Sequence, residues 1–377
     1  MKAAVTNNRN ARVEWLRVLC MLSVVAYHYS IWGFYAEELA QTGNKIFIDL
    51  ISMPLWTSLQ LFILISGYYM CEQRFTLKKL LNLMGTVWFY TLGGLLIQFF
   101  IEPQALSGAL IRRALFPITT QYYWFISFYV ALMLCSPFLN ALIHRLDQRQ
   151  HTLLCLLAIL LCCGIPIVLD GLSGGTLSVF LTLYLCAAYI RRYAKPDRRT
   201  SRRCLLLALL LLGAYAAFLG LRDAHFIQRG ETDAILNSTV IFWTPNSLVP
   251  IAPALLLLCC VATAEPVCGG LGARFGKLII GVYLFQSNEV VSRYLWQDIL
   301  HIRDYTGSPR LFLHTIGSVA AIFLAGLLVE YLRQISFGRL WSRLVERIAP
   351  PLETALNTAL GGLLAILRFF LGGEKTN

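Results

Sequence analysis

Apolar residues dominate long stretches of this chain, and polar ones interrupt them at few, spaced positions. The run VEWLRVLCMLSVVAYHYSIW, from Val13 to Trp32, carries Glu14, Arg17 and His28 as its acidic and basic side chains. A helix crossing a bilayer needs about 20 mostly apolar residues. Ten runs meet that need, at approximately 13–34, 46–70, 80–100, 122–142, 152–169, 177–193, 204–221, 247–264, 278–297 and 311–332. The shorter run 177–193 is completed by the flanking Arg191, Arg192 and Tyr193. The pattern predicts an all-α polytopic membrane protein, with one ten-span membrane domain over 1–335 and a tail over 336–377. In the tail, LETALNTALGGLLAILRFFLGG leaves only 14 residues between Glu353 and Arg368, with a glycine pair among them. A cytoplasmic helix lying in the membrane interface fits that pattern better than an eleventh span.

Composition agrees: of 377 residues, 57% are hydrophobic and 14% charged, with a mean hydropathy of +0.64. The net charge of +12 would suit a nucleic-acid binder in a soluble chain. Here it follows the membrane rule that lysine and arginine collect on cytoplasmic loops. With the N terminus in the cytoplasm, 24 of the 32 basic residues fall on that side, against 9 of the 20 acidic ones. The bias is specific to positive charge. It places both termini in the cytoplasm and, in RRYAKPDRRTSRR, reads as a topology determinant with anionic-lipid contact as a lesser role. This excludes nucleic acid as a partner and implies a multi-pass protein of the cell membrane. Arg9 and Arg12 before the first run imitate a signal peptide, but the run is too long and lacks a small-residue cleavage site, so it reads as a retained anchor. The eleven cysteines, including Cys162-Cys163 and Cys259-Cys260, have neither zinc nor disulfide spacing. They read as small buried residues, and no metal is expected.

Ionisable residues at membrane depth are costly and mark functional sites or interfaces. Arg17 and His28 are eleven residues apart, about 16.5 Å of helix rise and close to three full turns, so they share one face. An arginine at a cavity mouth offers a permanently charged donor fork to phosphate. A histidine deeper in the membrane can act as a general base. Arginine reaching for headgroups and histidine as a packing residue are the alternatives.

The spacing has company. RNARVEWLRVLCMLSVVAYH resembles the opening of the acyltransferase 3 family of integral membrane acyltransferases, whose first helix carries a basic residue, ten others and then a histidine. LFILISGYYM (Leu61–Met70) resembles that family's Ser-Gly ending of the second span. YYWFISFYVALMLCSPFLN (Tyr122–Asn140) resembles the Trp-Phe start and Ser-Pro-Phe finish of the fourth. LYLCAAYIRRY (Leu183–Tyr193) and GKLIIGVYLFQSNEVVSRYLW (Gly276–Trp296) resemble the sixth and the penultimate spans.

The resemblance implies transfer of an acyl group, usually acetyl, from cytoplasmic acyl-CoA to a hydroxyl of a surface polysaccharide or its lipid-linked precursor. Acyl-CoA is then a co-substrate, with no tightly bound cofactor. Arg17, Lys78 and Lys79 are the expected partners of the donor phosphates, and Ser66 and Gly67 would let the thioester approach. His28 is the expected base, and Glu14 would hold Arg17 through an i,i+3 pair. Trp124, Phe125, Gln286 and Asn288 are the expected acceptor contacts; an aromatic belt and interhelical hydrogen bonds are their structural alternatives. Two departures stand out. Gln286 occupies a position where family members often carry histidine, and glutamine cannot act as a base near neutral pH. KKLLN (Lys78–Asn82) replaces a pair of spaced arginines, giving point charges where the family has forks. A polysaccharide flippase or polymerase, or a catalytically silent relative, is the competing reading.

Overall fold

A run of apolar residues can satisfy its backbone inside a bilayer only as a helix or a closed barrel. The computed structural model describes residues 10–34, 38–39, 42–164, 175–231 and 248–370, and within them each predicted run is helical over most of its length, the second and ninth being divided. The end of the fifth run, the connection over 232–247 and the last seven residues lie outside the described residues. Among the described residues, five helical stretches are long and apolar enough to cross a membrane: Asn44–Met70, Leu77–Ile101, Trp124–Arg145, Arg198–Arg229 and Leu311–Leu364. The others are shorter, more polar or interrupted.

Helix α1 (Ala11–Gly33) begins where the Asn10 side chain accepts from the Arg12 N–H at 3.1 Å. The second run is divided into α2 (Asn44–Ser52) and α3 (Pro54–Met70), with Pro54 in the first turn of α3. There a missing N–H costs no helical hydrogen bond. Then come α4 (Leu77–Ile101), the short α5 (Gly108–Leu115), α6 (Trp124–Arg145), α7 (Gln148–Ile159), α8 (Thr176–Tyr193), α9 (Arg198–Arg229) and α10 (Leu248–Thr263). At 32 residues, α9 extends beyond its predicted run at both ends.

Helices α1 and α3 lie side by side at the centre. Beyond their mutual contact, α3 packs on α8 and α10, while α1 packs on α11 (Gly270–Phe275), α12 (Ile279–Gln286) and α14 (Leu311–Arg333). One core cluster joins Val24, Val25 and Tyr29 of α1 to Val87, Val282 and Leu284. The other joins Leu61 and Leu64 of α3 to Leu132, Leu183 and Tyr184. Helix α9 packs on α10 and α2 and leaves Leu206, Leu209 and Leu210 exposed, as suits a face turned to hydrocarbon.

The ninth run is interrupted. Helix α12 stops at Gln286, and α13 (Glu289–Tyr294) restarts on Asn288, whose Oδ1 accepts from the N–H groups of Val290 at 3.0 Å and Val291 at 3.2 Å. The interruption takes the Leu284 carbonyl out of the helical ladder, and the Tyr123 hydroxyl donates to it at 2.9 Å. Asn288 Nδ2 in turn donates to the Tyr90 carbonyl at 2.8 Å. Broken helices survive at membrane depth only with such protein partners.

After α14 a wider turn, Gln334–Gly338, leads into α15 (Arg339–Phe370). The start of α15 docks on α4. Trp341 Nε1 donates to the Leu81 carbonyl at 2.9 Å, and Gly85 has no side chain because the indole fills that place. Lys78 pairs with Glu346 at 2.8 Å. From 351 to 364 every residue is exposed, leucines included.

Candidate functional site

Arg17, Met21 and Val24 follow each other at helical spacing along one face of α1 and form one wall of a cavity of about 90 Å³. Leu59, Phe62 and Ser66 of α3 face them, Phe125 and Tyr129 come from α6, and Ile279, Ile280 and Tyr283 come from α12. At about 10–15 Å³ per water, the space holds several. It is mostly apolar, with Arg17 as the charged residue among its lining. Ser66 spends its hydroxyl proton on the Phe62 carbonyl at 2.7 Å, so toward the cavity it offers an acceptor oxygen.

Glu14 is 1% exposed, whereas Arg17 keeps 27% of its side chain accessible. Arg17 Nη1 donates to Glu14 Oε2 at 3.2 Å, the expected i,i+3 contact. The carboxylate sits against Gly276, in space that a side chain there would claim. Arg17 is thereby anchored on one side and open on the other.

His28 lies one turn beyond Val24. Its ring stacks on Trp32, with centroids 4.1 Å apart and planes at 22°. Gln286, fully buried at the end of α12, interacts with the imidazole without closing a well-formed hydrogen bond. His28 Nδ1, Gln286 Nε2 and Gln286 Oε1 are consequently buried without partners. The indole N–H of Trp296, packed 6.0 Å from Trp32, is unpaired as well. Buried polar atoms are almost always hydrogen-bonded, so such a cluster calls for an explanation.

The structure thus gathers Arg17, Ser66 and Phe125 at the cavity, with Glu14 behind Arg17, and sets His28, further along α1, beside Gln286 of α12. Other predicted residues lie elsewhere. Gly67 is a packing residue against α8, where an added Cβ would meet Ala187 at 3.0 Å and the Tyr184 Cα at 3.2 Å. Lys78 pairs with Glu346, and Lys79 donates to Gln73 Oε1 at 2.7 Å; neither lines the cavity. Trp124, 38% exposed, stands edge-on to Phe125 at the start of α6. Asn288 is committed to capping α13 and bonding Tyr90.

Two buried charge clusters were not anticipated. Glu330 accepts from Arg333 Nε at 2.8 Å, Arg333 Nη2 at 2.6 Å, Tyr90 Oη at 2.9 Å and Gln334 Nε2 at 2.9 Å. Its side chain fills the space beside Gly281 as Glu14 does beside Gly276. The signal was in the sequence: VEWLR (Val13–Arg17) recurs as VEYLR (Val329–Arg333). Two Glu-x-x-Arg pairs from α1 and α14 therefore bracket the segment Gly276–Gly281, which leads into the α12 wall of the cavity. The second cluster joins Lys45, Asp49, Arg222 and Asp223. Lys45 pairs with Asp49, and Arg222 reaches Asp49 at 3.5 Å and Asp223 at 2.5 Å. It ties α2 to α9 away from the cavity.

A family model described as an acyltransferase domain, Acyl_transf_3, matches residues 10–351, a span that contains every residue of the cavity and of the His28 cluster. No curated protein and no solved structure shows significant similarity to the chain.

Proposed function

The chain belongs to the acyltransferase 3 family and is a membrane acyltransferase; from that premise we propose that it moves an acyl group, acetyl by preference, from acyl-CoA to a hydroxyl of a cell-surface polysaccharide or its lipid-linked precursor. The observation that carries this reading is the succession along one face of α1. A braced but accessible arginine lines a small apolar cavity, and a histidine with an unpaired ring nitrogen lies beyond it. In this reading the basic end of the bundle faces the cytoplasm of a cell-membrane protein. Donor phosphates meet Arg17, while Lys78 and Lys79 contribute charge from the rim. The pantetheine arm follows the apolar wall past Ser66, bringing the thioester toward His28.

The acceptor oxygen attacks the thioester carbonyl carbon as His28 takes its proton. The carbon–sulfur bond breaks, and the leaving thiolate receives that proton. Gln286 offers both an amide donor and an acceptor to the sugar or the carbonyl. Phe125 supplies an apolar surface, with Trp124 at its outer edge, and Asn288 holds the chain break that presents Gln286. The structural part of Glu14 is to fix the guanidinium.

The test is transfer from acetyl-CoA to the native glycan in membranes with matched protein levels. His28→Gln should leave acetyl-CoA binding near normal while lowering transfer by about 10²–10⁴, the usual contribution of a positioned general base. Near-normal transfer by that variant would remove His28 from the mechanism. Failure of the unaltered protein to bind acetyl-CoA would remove the donor.

A further inference from the structure

A second cavity, of about 550 Å³, lies at the basic end, between the first turn of α1 and the adjoining ends of α9 and α10. That volume is typical of small-molecule sites, and the cavity shares no lining residue with the one beside Arg17. Its walls are pinned together by hydrogen bonds. The Asp197 N–H donates to the Thr263 carbonyl at 2.9 Å, and the Ser201 hydroxyl donates to the Cys260 carbonyl at 2.9 Å. On the far side, the Ala11 N–H donates to the Val267 carbonyl at 2.6 Å.

Arg12, Arg198 and Arg202 line this groove together with the carboxylates of Asp197 and Glu265. Arg198 and Arg202, four residues apart, share a face of α9. Among the described residues none of the three guanidinium groups is held in an ion pair. The Asp197 carboxylate is already engaged as the cap of α9. It accepts from the Thr200 hydroxyl and from the N–H groups of Thr200 and Arg199, which hold it below the usual carboxylate range. Its charge is spent on the helix end. Leu205 closes the groove and begins the exposed row Leu206, Leu209 and Leu210. A ligand seated here would thus meet three guanidinium groups, the single Glu265 carboxylate and the apolar face that Leu205 begins.

We infer that this groove is a binding site for a phosphate group of an amphiphilic or nucleotide-like molecule, separate from the site beside Arg17. Guanidinium groups bind phosphate by paired, charge-assisted hydrogen bonds. Two sources present that chemistry: the headgroup of an anionic phospholipid, its chains lying along α9, and the pyrophosphate of coenzyme A.

The detergent-purified full chain is titrated separately with dioctanoyl-phosphatidylglycerol and with coenzyme A. The variants are Arg198→Gln/Arg202→Gln and, on a different helix, Arg12→Gln; Arg17→Ala is the control. The inference expects at least one probe to lose about tenfold or more in affinity in both groove variants. Loss for the lipid alone identifies a headgroup site, and loss for coenzyme A alone a nucleotide site. Unchanged affinity for both probes in groove variants that keep the unaltered melting temperature overturns it. A failed Arg17→Ala effect on coenzyme A would damage the proposed donor site and leave this groove standing.

Discussion

The carboxylate of Glu14 occupies the space that a side chain at Gly276 would need, and through it Arg17 is tied to the start of the segment that walls the cavity. Gly276→Ala should therefore displace Glu14 and loosen Arg17. Overpacking of this kind costs about 1–3 kcal/mol, so a lower melting temperature and weaker acyl-CoA binding should appear together. A variant with unaltered melting temperature and affinity would show that Glu14 has room to move.

Arg17→Ala should weaken acyl-CoA binding by about 1.5–3 kcal/mol, the usual value of a hydrogen bond to a charged group. Lys78→Ala should do much less to that affinity, because Lys78 faces Glu346 and water-screened solvent. Its loss should leave α15 docked through Trp341, because an exposed pair contributes only about 0–1 kcal/mol, and proteolysis between Arg339 and Arg347 should change little. Equal effects of the two substitutions on the dissociation constant would move the phosphates toward α4.

Gln286 stands beside His28 with its whole amide unpaired. Gln286→Leu should lower transfer about tenfold, roughly the net value of one hydrogen bond, without changing acyl-CoA affinity. Gln286→His should equal or exceed the natural rate. A Leu variant with full activity would make Gln286 a bystander.

Glu330 is fully buried against Arg333. Breaking a buried pair by removing one partner costs about 3–5 kcal/mol, because the remaining charge is stranded, whereas replacing both by apolar residues costs far less. Glu330→Gln should be strongly destabilised, and Glu330→Met/Arg333→Leu should recover much of the loss. Thermal unfolding in detergent reads both. A double variant no better than the single would give the pair a role beyond charge neutrality.

The proposed orientation predicts a cytoplasmic reporter after Arg199 and an extracytoplasmic one near Gly230, the two ends of α9. Both reporters on one side would mean that α9 does not cross.

Much of this was legible in the sequence because helical geometry converts spacing into direction. Arg17 and His28, eleven residues apart, had to share a face, and Glu14 three residues before Arg17 had to lie within its reach. What spacing along a helix cannot give is lateral placement. Lys78 is paired with Glu346, which depends on where α15 docks, and Lys79 with Gln73 of the loop before its own helix. Gly67 fitted either a close ligand approach or close packing, and only the position of α8 decides for packing. The interruption at Ser287–Asn288 is not evident from the sequence, because a run that is apolar on both sides of Gln286–Glu289 still reads as one span. Asn288 before Glu289 is a sound capping sequence, but capping signals carry little weight until a helix is known to stop there.

That interruption bears on the order in which the protein is assembled. With eight residues, α12 rises only about 12 Å, well short of a hydrocarbon core of about 30 Å. Its released carbonyl needs Tyr123, its successor needs the cap of Asn288 held at Tyr90, and the Glu330 side chain packs beside Gly281. Tyr123 and Tyr90 are synthesised earlier, but Glu330 emerges later, on α14. The α12 wall of the cavity thus reaches its final packing only when α14 has been inserted beside it. A chain stalled before α14 would hold Arg17 and His28 in place along α1 and still lack a closed site.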